Sequence, residues 1–422
     1  MRTILKLAEK GFTLVTLLLS TEAFISLLPH AVRQLIWFSV YAISLFLLVL
    51  RWKQSVRVAM RGSLLWFFLG IVLFSIFWSD APSITFRQSF ALFGTTLFGL
   101  YLATRYSMRE QLQLLALVLG IAAFLSLVFA VALPAYGLQG GQSWQGIYHH
   151  KNILGRMMIL SSVVFALMVN VNQERRWLPW AGFGLSSILL VLSNSKTALA
   201  LYLILLALLP LYRALRLYYK LAVPAVIACI LTGGGVSLVI LSSLESVLDS
   251  AGKDLTLSGR TGLWGLVIDM IEKRPWLGYG YGGFWRGWDG ASAYVWSVEW
   301  WYPLHSHNGY LDLWLDLGFV GILAYALSFL LVMRRAIVWV RLTKTPEYLL
   351  PLSYLTFLFL YNLTESVILH QNTIFWILYV AFVFSRISQR NRFLEYCSVD
   401  DCLDPTSDPQ TVPRSRGKMQ NA

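Results

Sequence analysis

Apolar runs of roughly 17 to 25 residues recur along most of this chain, and that feature restricts what it can fold into. A run of that length crosses a bilayer as a helix. Within lipid, only helices and closed barrels satisfy every backbone N–H and C=O internally. Twelve segments qualify, at roughly 10–29, 34–50, 62–78, 88–104, 112–132, 152–169, 178–193, 197–212, 221–243, 309–332, 347–366 and 371–388. The chain is 57% hydrophobic and 13% charged, whereas soluble domains are about half apolar and about one quarter charged. We therefore expect an all-α polytopic membrane protein with about twelve transmembrane helices. The first run begins around Gly11 with no clear small-residue cleavage site after it, so it reads as a membrane helix rather than a signal peptide. The weakest division is at 193–197, where Ser193, Asn194, Ser195 and Lys196 interrupt a nearly continuous apolar stretch.

Charge gives the orientation. The net charge of +13 would suggest nucleic acid in a soluble protein. Here the basic residues punctuate the apolar runs, so they read as topology signals and no nucleic-acid partner is expected. Arg2, Lys6 and Lys10 precede the first span, and Arg51, Lys53, Arg57 and Arg61 follow the second. Arg105 and Arg109, Arg175 and Arg176, and Arg213, Arg216 and Lys220 follow the fourth, sixth and eighth. Arg334, Arg335, Arg341 and Lys344 follow the tenth, and Arg386, Arg390 and Arg392 the twelfth. All these clusters fall on one side, which the positive-inside rule makes the cytoplasm, with both termini inside. Residues 1–388 then form a single membrane domain. Its segment 244–308 is a large extracytoplasmic loop with short helices between the ninth and tenth spans. The polar tail 389–422, with Asp400, Asp401 and Asp404, is expected to be cytoplasmic and disordered. Three cysteines set up no disulfide framework or metal cluster.

On the outer side a different set of residues remains. Arg87, His149, His150, Lys151, Lys196, His305 and His307 each sit close to the start of a helix descending from that face. A helix N-terminus presents free N–H groups and partial positive charge, so basic side chains there gain nothing from the dipole. Together they suggest a site for an anion, although each alone could simply flank a span and touch lipid headgroups. Arg260 repeats the pattern at the start of a helix in the large loop, where Leu263, Trp264, Val267, Met270 and Ile271 recur at helical spacing and Pro275 ends the run. A guanidinium fork suits a diphosphate. The glycine-rich stretch 278–283 fits either a sugar-facing loop or a packed turn, and the tryptophans after it suit a membrane interface. His305 and His307 could bind a metal, but no convincing third and fourth ligand lies beside them. A histidine near neutrality can instead accept a proton from a hydroxyl. Glu299 and Asp312 are near enough in sequence for either to orient His307.

These pieces, in this order, resemble the O-antigen ligase and polymerase superfamily, and most closely its exopolysaccharide polymerase type. The resemblance covers roughly residues 60–390. It rests on Trp78-Ser79-Asp80 through Arg87, on His150-Lys151-Asn152, and on Ser195-Lys196-Thr197. Ser258-Gly259-Arg260 with Trp264, the stretch 275–280, and His307-Asn308 followed by Tyr310-Leu311 complete it. It implies a bacterial inner-membrane glycosyltransferase that needs no metal or cofactor and works at the periplasmic face. The donor would be a glycan on undecaprenyl diphosphate, and the acceptor another lipid-linked repeat unit or, in a ligase, lipid A core or a protein. His307 and Arg260 would be catalytic, with Lys196, Arg87, Lys151 and His150 binding the diphosphate or donor. Asn308, Tyr310, His305, Trp264 and Asp312 would shape the site. Lys196 stands where the family usually has arginine, which keeps the charge but loses the fork. Polysaccharide-assembly proteins are possible partners. A transporter, of inorganic carbon or of lipid-linked sugars, is the alternative of a different class. It would call for polar groups or broken helices near the bilayer midplane.

Overall fold

A computed structural model of the chain describes residues 2–25, 27–171, 174–215, 224, 228, 258–299, 301–343 and 345–386. The described residues up to Ser385 form one compact unit. The predicted segment 221–243 apart from residues 224 and 228, the start of the large loop at 244–257 and the tail from 389 lie outside the described residues.

Helices α1 (Arg2–Ser20) and α2 (His30–Leu50) are followed by α3 (Trp52–Ala59) and α4 (Ser63–Phe74), which a 3-10 turn joins. Next come α5 (Pro82–Arg105), α6 (Met108–Ala132) and the single turn α7 (Pro134–Gly137). A two-residue hairpin, β1 (Leu138–Gln139) with β2 (Ser143–Trp144), is antiparallel and turns through Gly140 and Gly141. Then follow α8 (Lys151–Met168), α9 (Trp177–Leu192) and α10 (Lys196–Ala214). The connection before α13 contributes α11 (Ser258–Lys273) and α12 (Ala293–Val298), ahead of α13 (Gly309–Leu342), α14 (Leu349–Tyr361) and α15 (Ile374–Phe384). Each predicted segment other than 221–243 carries one of these helices. By length and composition, six are long and apolar enough to cross a membrane: α2, α3 with α4 and its flanking turns, α6, α8, α10 and α13. The chain is thus a multi-pass α-helical membrane protein. The division at 193–197 is real in the fold. Helix α9 stops at Leu192, Asn194 takes φ 51°, and α10 restarts at Lys196. Asparagine is among the few non-glycine residues that visit this left-handed region readily.

Helix α15 lies at the centre of the bundle. Every one of its residues is buried, which explains why it is apolar all round rather than on one stripe. Trp376 Nε1 donates to Thr96 Oγ1 at 2.9 Å, and Tyr379 shares a 2.7 Å hydrogen bond with Ser328. Its 11 residues rise only about 16 Å, half of a hydrocarbon core. The predicted segment 371–388 is therefore shorter as helix than its apolar length suggested. Helix α14 likewise ends at Tyr361 rather than near 366. Between them runs a non-helical connection whose Asn362, Thr364, Glu365 and Ser366 are all buried. Backbone of this kind survives away from water only if its polar groups find partners. Asn362 supplies two, its Oδ1 accepting from Val367 N at 2.9 Å and Ile368 N at 3.2 Å.

Helix α13 differs from the single uninterrupted span expected at 309–332. It breaks at Gly318, with φ 65° and ψ −167°. Residues 275–279, just after α11, fill the break. Phe319 N donates to Pro275 O at 2.8 Å, Val320 N to Trp276 O at 3.3 Å, and Tyr279 N to Leu315 O at 2.7 Å. The glycine-rich stretch is thus a packed turn. A Cβ on Gly278 would lie 2.4 Å from Leu315 O, and one on Gly280 would lie 2.4 Å from the Ser79 side chain. Leu263, Val267, Met270 and Ile271 on one face of α11 bury against Tyr279, Phe284, Val295 and Leu315, as their spacing predicted. At Gly318 a Cβ would fall 2.2 Å from Trp276 backbone carbon, at dihedrals open essentially to glycine alone. Gly318→Ala is therefore expected to cost at least ~1–3 kcal/mol, read as a lower melting temperature in detergent. An unchanged melting temperature would mean that the break relaxes elsewhere.

Candidate functional site

The segment 305–308 leads into α13 and is fixed at both ends. Asn308 caps the helix, its Oδ1 accepting from Tyr310 N at 3.0 Å and Leu311 N at 3.3 Å. Ser306 N donates to Asp312 Oδ1 at 3.0 Å, and Ser306 Oγ to Asn308 O at 2.7 Å. From α11, Trp264 Nε1 donates to Ser306 O at 2.9 Å. From the α14–α15 connection, Asn362 O and Glu365 O both accept from Gly309 N. Glycine is required there, since a Cβ would lie 2.2 Å from Asn362 Oδ1. Held this way, His307 takes φ 54°, an uncommon conformation for a side-chain-bearing residue and one that clusters at functional sites. Its backbone N–H donates to His305 Nδ1 at 3.2 Å, and the two rings lie 4.1 Å apart.

Glu365 joins the elements. Its Oε2 lies 3.3 Å from His307 Nδ1, and its Oε1 accepts from Arg260 Nη2 at 3.1 Å and from Asn152 Nδ2 at 3.4 Å. Arg260 Nη1 donates to Thr364 O at 2.9 Å. Arginine, carboxylate and histidine thus form one hydrogen-bonded row, drawn from α11, the α14–α15 connection and the segment before α13. The side chains of Arg260 and His307 keep 16% and 21% of their surface exposed, so a substrate can reach both. Burial alone would raise the Glu365 pKa. The His307 hydrogen bond and the charges of Arg260, His307 and His305 outweigh burial and bring it down to about 2. It is an anion at any working pH. His305 is shifted the other way, by burial first and then by the charge of His307, so its neutral form is favoured. Its Nδ1 already accepts a hydrogen bond, which places the remaining proton on Nε2. His150 follows the same logic. Burial lowers its pKa, and its Nδ1 accepts from Asn152 N at 3.2 Å as the cap of α8.

Arg260, Trp264, His305, His307, Asn308 and Asp312 thus gather in one place. Tyr310 turns to Phe359 O at 3.0 Å and helps hold α13 against α14. His150 and Lys151 begin α8 beside the cluster, which α8 meets through Asn152. Lys196 is exposed at the first residue of α10 and makes no bond to the cluster among the described residues. Arg87 is exposed on α5. The acid orienting His307 is neither of those anticipated. Glu299 Oε2 accepts from Trp301 Nε1 at 2.9 Å, and Asp312 is taken up by Ser306, Ser366 and Trp285. Glu365 has that role. Sequence reading had absorbed it into the apolar segment 347–366. The signal that would have found it is its isolation, as the one acid between Glu347 and Glu395.

Ligand atoms of His305, His307 and Glu365 lie within 4.8 Å of one another, so these three could hold a metal ion. The surroundings argue for hydrogen bonding instead. Arg260 already holds one Glu365 oxygen at 3.1 Å, which sets a fixed positive charge beside the place a cation would need, and His305 Nδ1 is occupied by a backbone N–H. Treatment with EDTA is accordingly expected to leave activity of the purified protein unchanged. Loss that added zinc or magnesium restores would make the trio a metal centre.

Two comparisons bear on this arrangement. The O-antigen ligase family matches residues 181–326, which include Lys196, Arg260, Trp264, His305, His307, Asn308 and Asp312. The exopolysaccharide production protein ExoQ of Rhizobium meliloti (strain 1021) is 25% identical over 279 residues. That match spans 62% of this chain and 62% of ExoQ, less than two thirds of either. On residues and on both comparisons, then, this chain resembles the O-antigen ligase and polymerase superfamily, in its exopolysaccharide type.

Proposed function

We propose that the protein is an inverting, metal-independent glycan polymerase of the bacterial inner membrane. It would transfer a glycan from undecaprenyl diphosphate to a hydroxyl of another lipid-linked repeat unit at the periplasmic face, with both termini cytoplasmic. The observation that carries this reading is the continuous row Arg260–Glu365–His307.

Glu365 is ionised, so it favours the His307 tautomer with its proton on Nδ1, leaving the Nε2 lone pair for the acceptor hydroxyl. The hydroxyl oxygen attacks the anomeric carbon as its proton passes to Nε2. The new carbon–oxygen bond forms on the face opposite the diphosphate, the old one breaks, and lipid diphosphate leaves with the bonding pair. Arg260 uses two of its five N–H donors on Thr364 and Glu365. Among the described residues its other donors meet no partner, and they would face the charge that grows on the departing diphosphate. A positioned base contributes about 10²–10⁴-fold in rate, and one charge-stabilising donor about 10²–10³-fold. Together these suit a reaction whose leaving group is already good.

A ligase reading draws on the family matched, and a polymerase reading on the relative named for exopolysaccharide production. The break in α13 gives little support to a transporter, because loop backbone fills it. One experiment separates the readings: purified protein is given a lipid-diphosphate-linked repeat unit alone, and products are weighed by mass spectrometry. Lengthening by whole repeats with release of lipid diphosphate is expected. Transfer only after lipid A core or a protein is added would identify a ligase. Silence with every acceptor would sink glycosyl transfer.

A further inference from the structure

We infer that the cavity between α2 and α5 is a second lipid-diphosphate site, built around Arg33 and Arg87 and separate from Arg260. This inference rests on the glycosyl-transfer reading above and names its second substrate. The cavity encloses about 1000 Å³, and its lining includes His305 and residues of the α14–α15 connection. That is room for a headgroup with its first sugars.

Its charges decide what it suits. Three carboxylates line it, and each is already engaged. Glu22 pairs with Arg156, Asp312 takes Ser306, Ser366 and Trp285, and Asp316 Oδ1 accepts from Gly282 N at 3.0 Å. The two arginines are not matched in this way. Among the described residues, neither Arg33 nor Arg87 meets a carboxylate within ion-pair distance, yet both line the same space. Two uncommitted guanidinium forks facing one cavity suit a diphosphate. The rim points to a lipid carrier. Phe38, Phe86 and Phe90 line the cavity while 53%, 56% and 47% exposed. Of the 21 residues of helix α2 only Val40, Tyr41, Ser44 and Leu48 are buried, so the rest of its apolar surface faces lipid. A polyprenyl chain can lie across these rings while its diphosphate sits on the arginines.

Arg260 does not line this cavity. His305 does, and it accepts the backbone N–H of His307. The two histidines, joined by that hydrogen bond, therefore link two anion sites, one on Arg260 for the donor and one on Arg33 and Arg87 for the acceptor. A ligase acting on a non-diphosphate acceptor needs only the first. A polymerase joining two lipid-linked units needs both.

The test is to titrate the full-length protein in detergent with a sugar-free polyprenyl diphosphate and count bound molecules by native mass spectrometry. Two are expected for the unaltered chain. One is expected for the Arg33→Gln, Arg87→Gln double variant, and one for Arg260→Ala. The Arg33→Lys, Arg87→Lys pair should recover part of the lost affinity, which in the glutamine pair falls roughly 10- to 100-fold. Melting temperatures confirm that each variant is folded. One molecule in the unaltered chain, retained by the double glutamine variant, would overturn the second site and leave the donor site standing. No binding at all would instead overturn the diphosphate reading itself. Displacement of the Arg33- and Arg87-dependent molecule by phosphatidylglycerol would make it an ordinary lipid contact. Equal affinity for inorganic diphosphate would remove the lipid carrier.

Discussion

Replacing Glu365 with alanine is expected to lower glycan transfer by at least about 100-fold, by removal of the group that orients the base. It is also expected to destabilise the packing around the site. The carboxylate is 9% exposed and satisfies Arg260, His307 and Asn152 at once. Breaking a buried pair by deleting one member typically costs about 3–5 kcal/mol, because the other charge is left uncompensated. Lost activity in the alanine variant could therefore reflect lost structure. Glu365→Gln separates the two effects, keeping the volume and one acceptor oxygen while removing the charge. The glutamine variant should melt closer to the unaltered protein and still lose at least ~10-fold in kcat with little change in KM, since the group acts on the transition state rather than on binding. The readouts are released lipid diphosphate and thermal melting. Full turnover in Glu365→Gln would exclude the carboxylate from the chemistry.

The second large effect concerns His307, where function and stability should move in opposite directions. His307→Ala is expected to abolish transfer, a loss of 10²–10⁴-fold on general-base grounds. Its backbone sits at φ 54°, where any residue with a Cβ is strained by roughly 1–2 kcal/mol. Glycine carries no such penalty. His307→Gly should be as inactive as the alanine variant yet melt higher than it, which would show strain held in place at the reacting residue. Residual turnover near that of the unaltered enzyme in either variant would remove His307 from the mechanism. If glycine and alanine melt alike, the left-handed backbone costs the fold nothing.

The apolar runs located eleven of the described helices, including the division at 193–197, because burial in lipid leaves a long and simple signature, and helical spacing located α11, whereas α3 and α7 lie in no predicted run. Two things were not legible. One is where helix ends inside a run: α14 and α15 stop short, and the connection between them is buried by neighbours that an apolar count does not see. The other is which acid faces which histidine. Glu299 and Asp312 are near His307 in sequence, but Glu365 reaches it from 58 residues away because α14 brings the chain back to the start of α13. The histidines and Arg260 could be picked out because basic residues at outer helix starts are conspicuous. Their partner could not, since a lone glutamate at the edge of an apolar run looks like an ordinary span end. The glycine-rich stretch was ambiguous for a related reason, because the positive-φ turns at Gly278 and Gly280 serve packing as readily as a sugar site.

The break at Gly318 bears on how such proteins can be recombined. Because residues 275–279 complete the hydrogen bonding of α13 on both sides of the break, the connection that carries them is not a detachable insert on a finished scaffold. A chimera that exchanges residues 258–308 alone would pair a foreign strap with a native gap and should assemble poorly. One whose crossover falls after Val320 would carry strap and gap together. Acceptor preference, if it is written in the loop, would then pass between relatives only as a block that includes the first turns of the following helix.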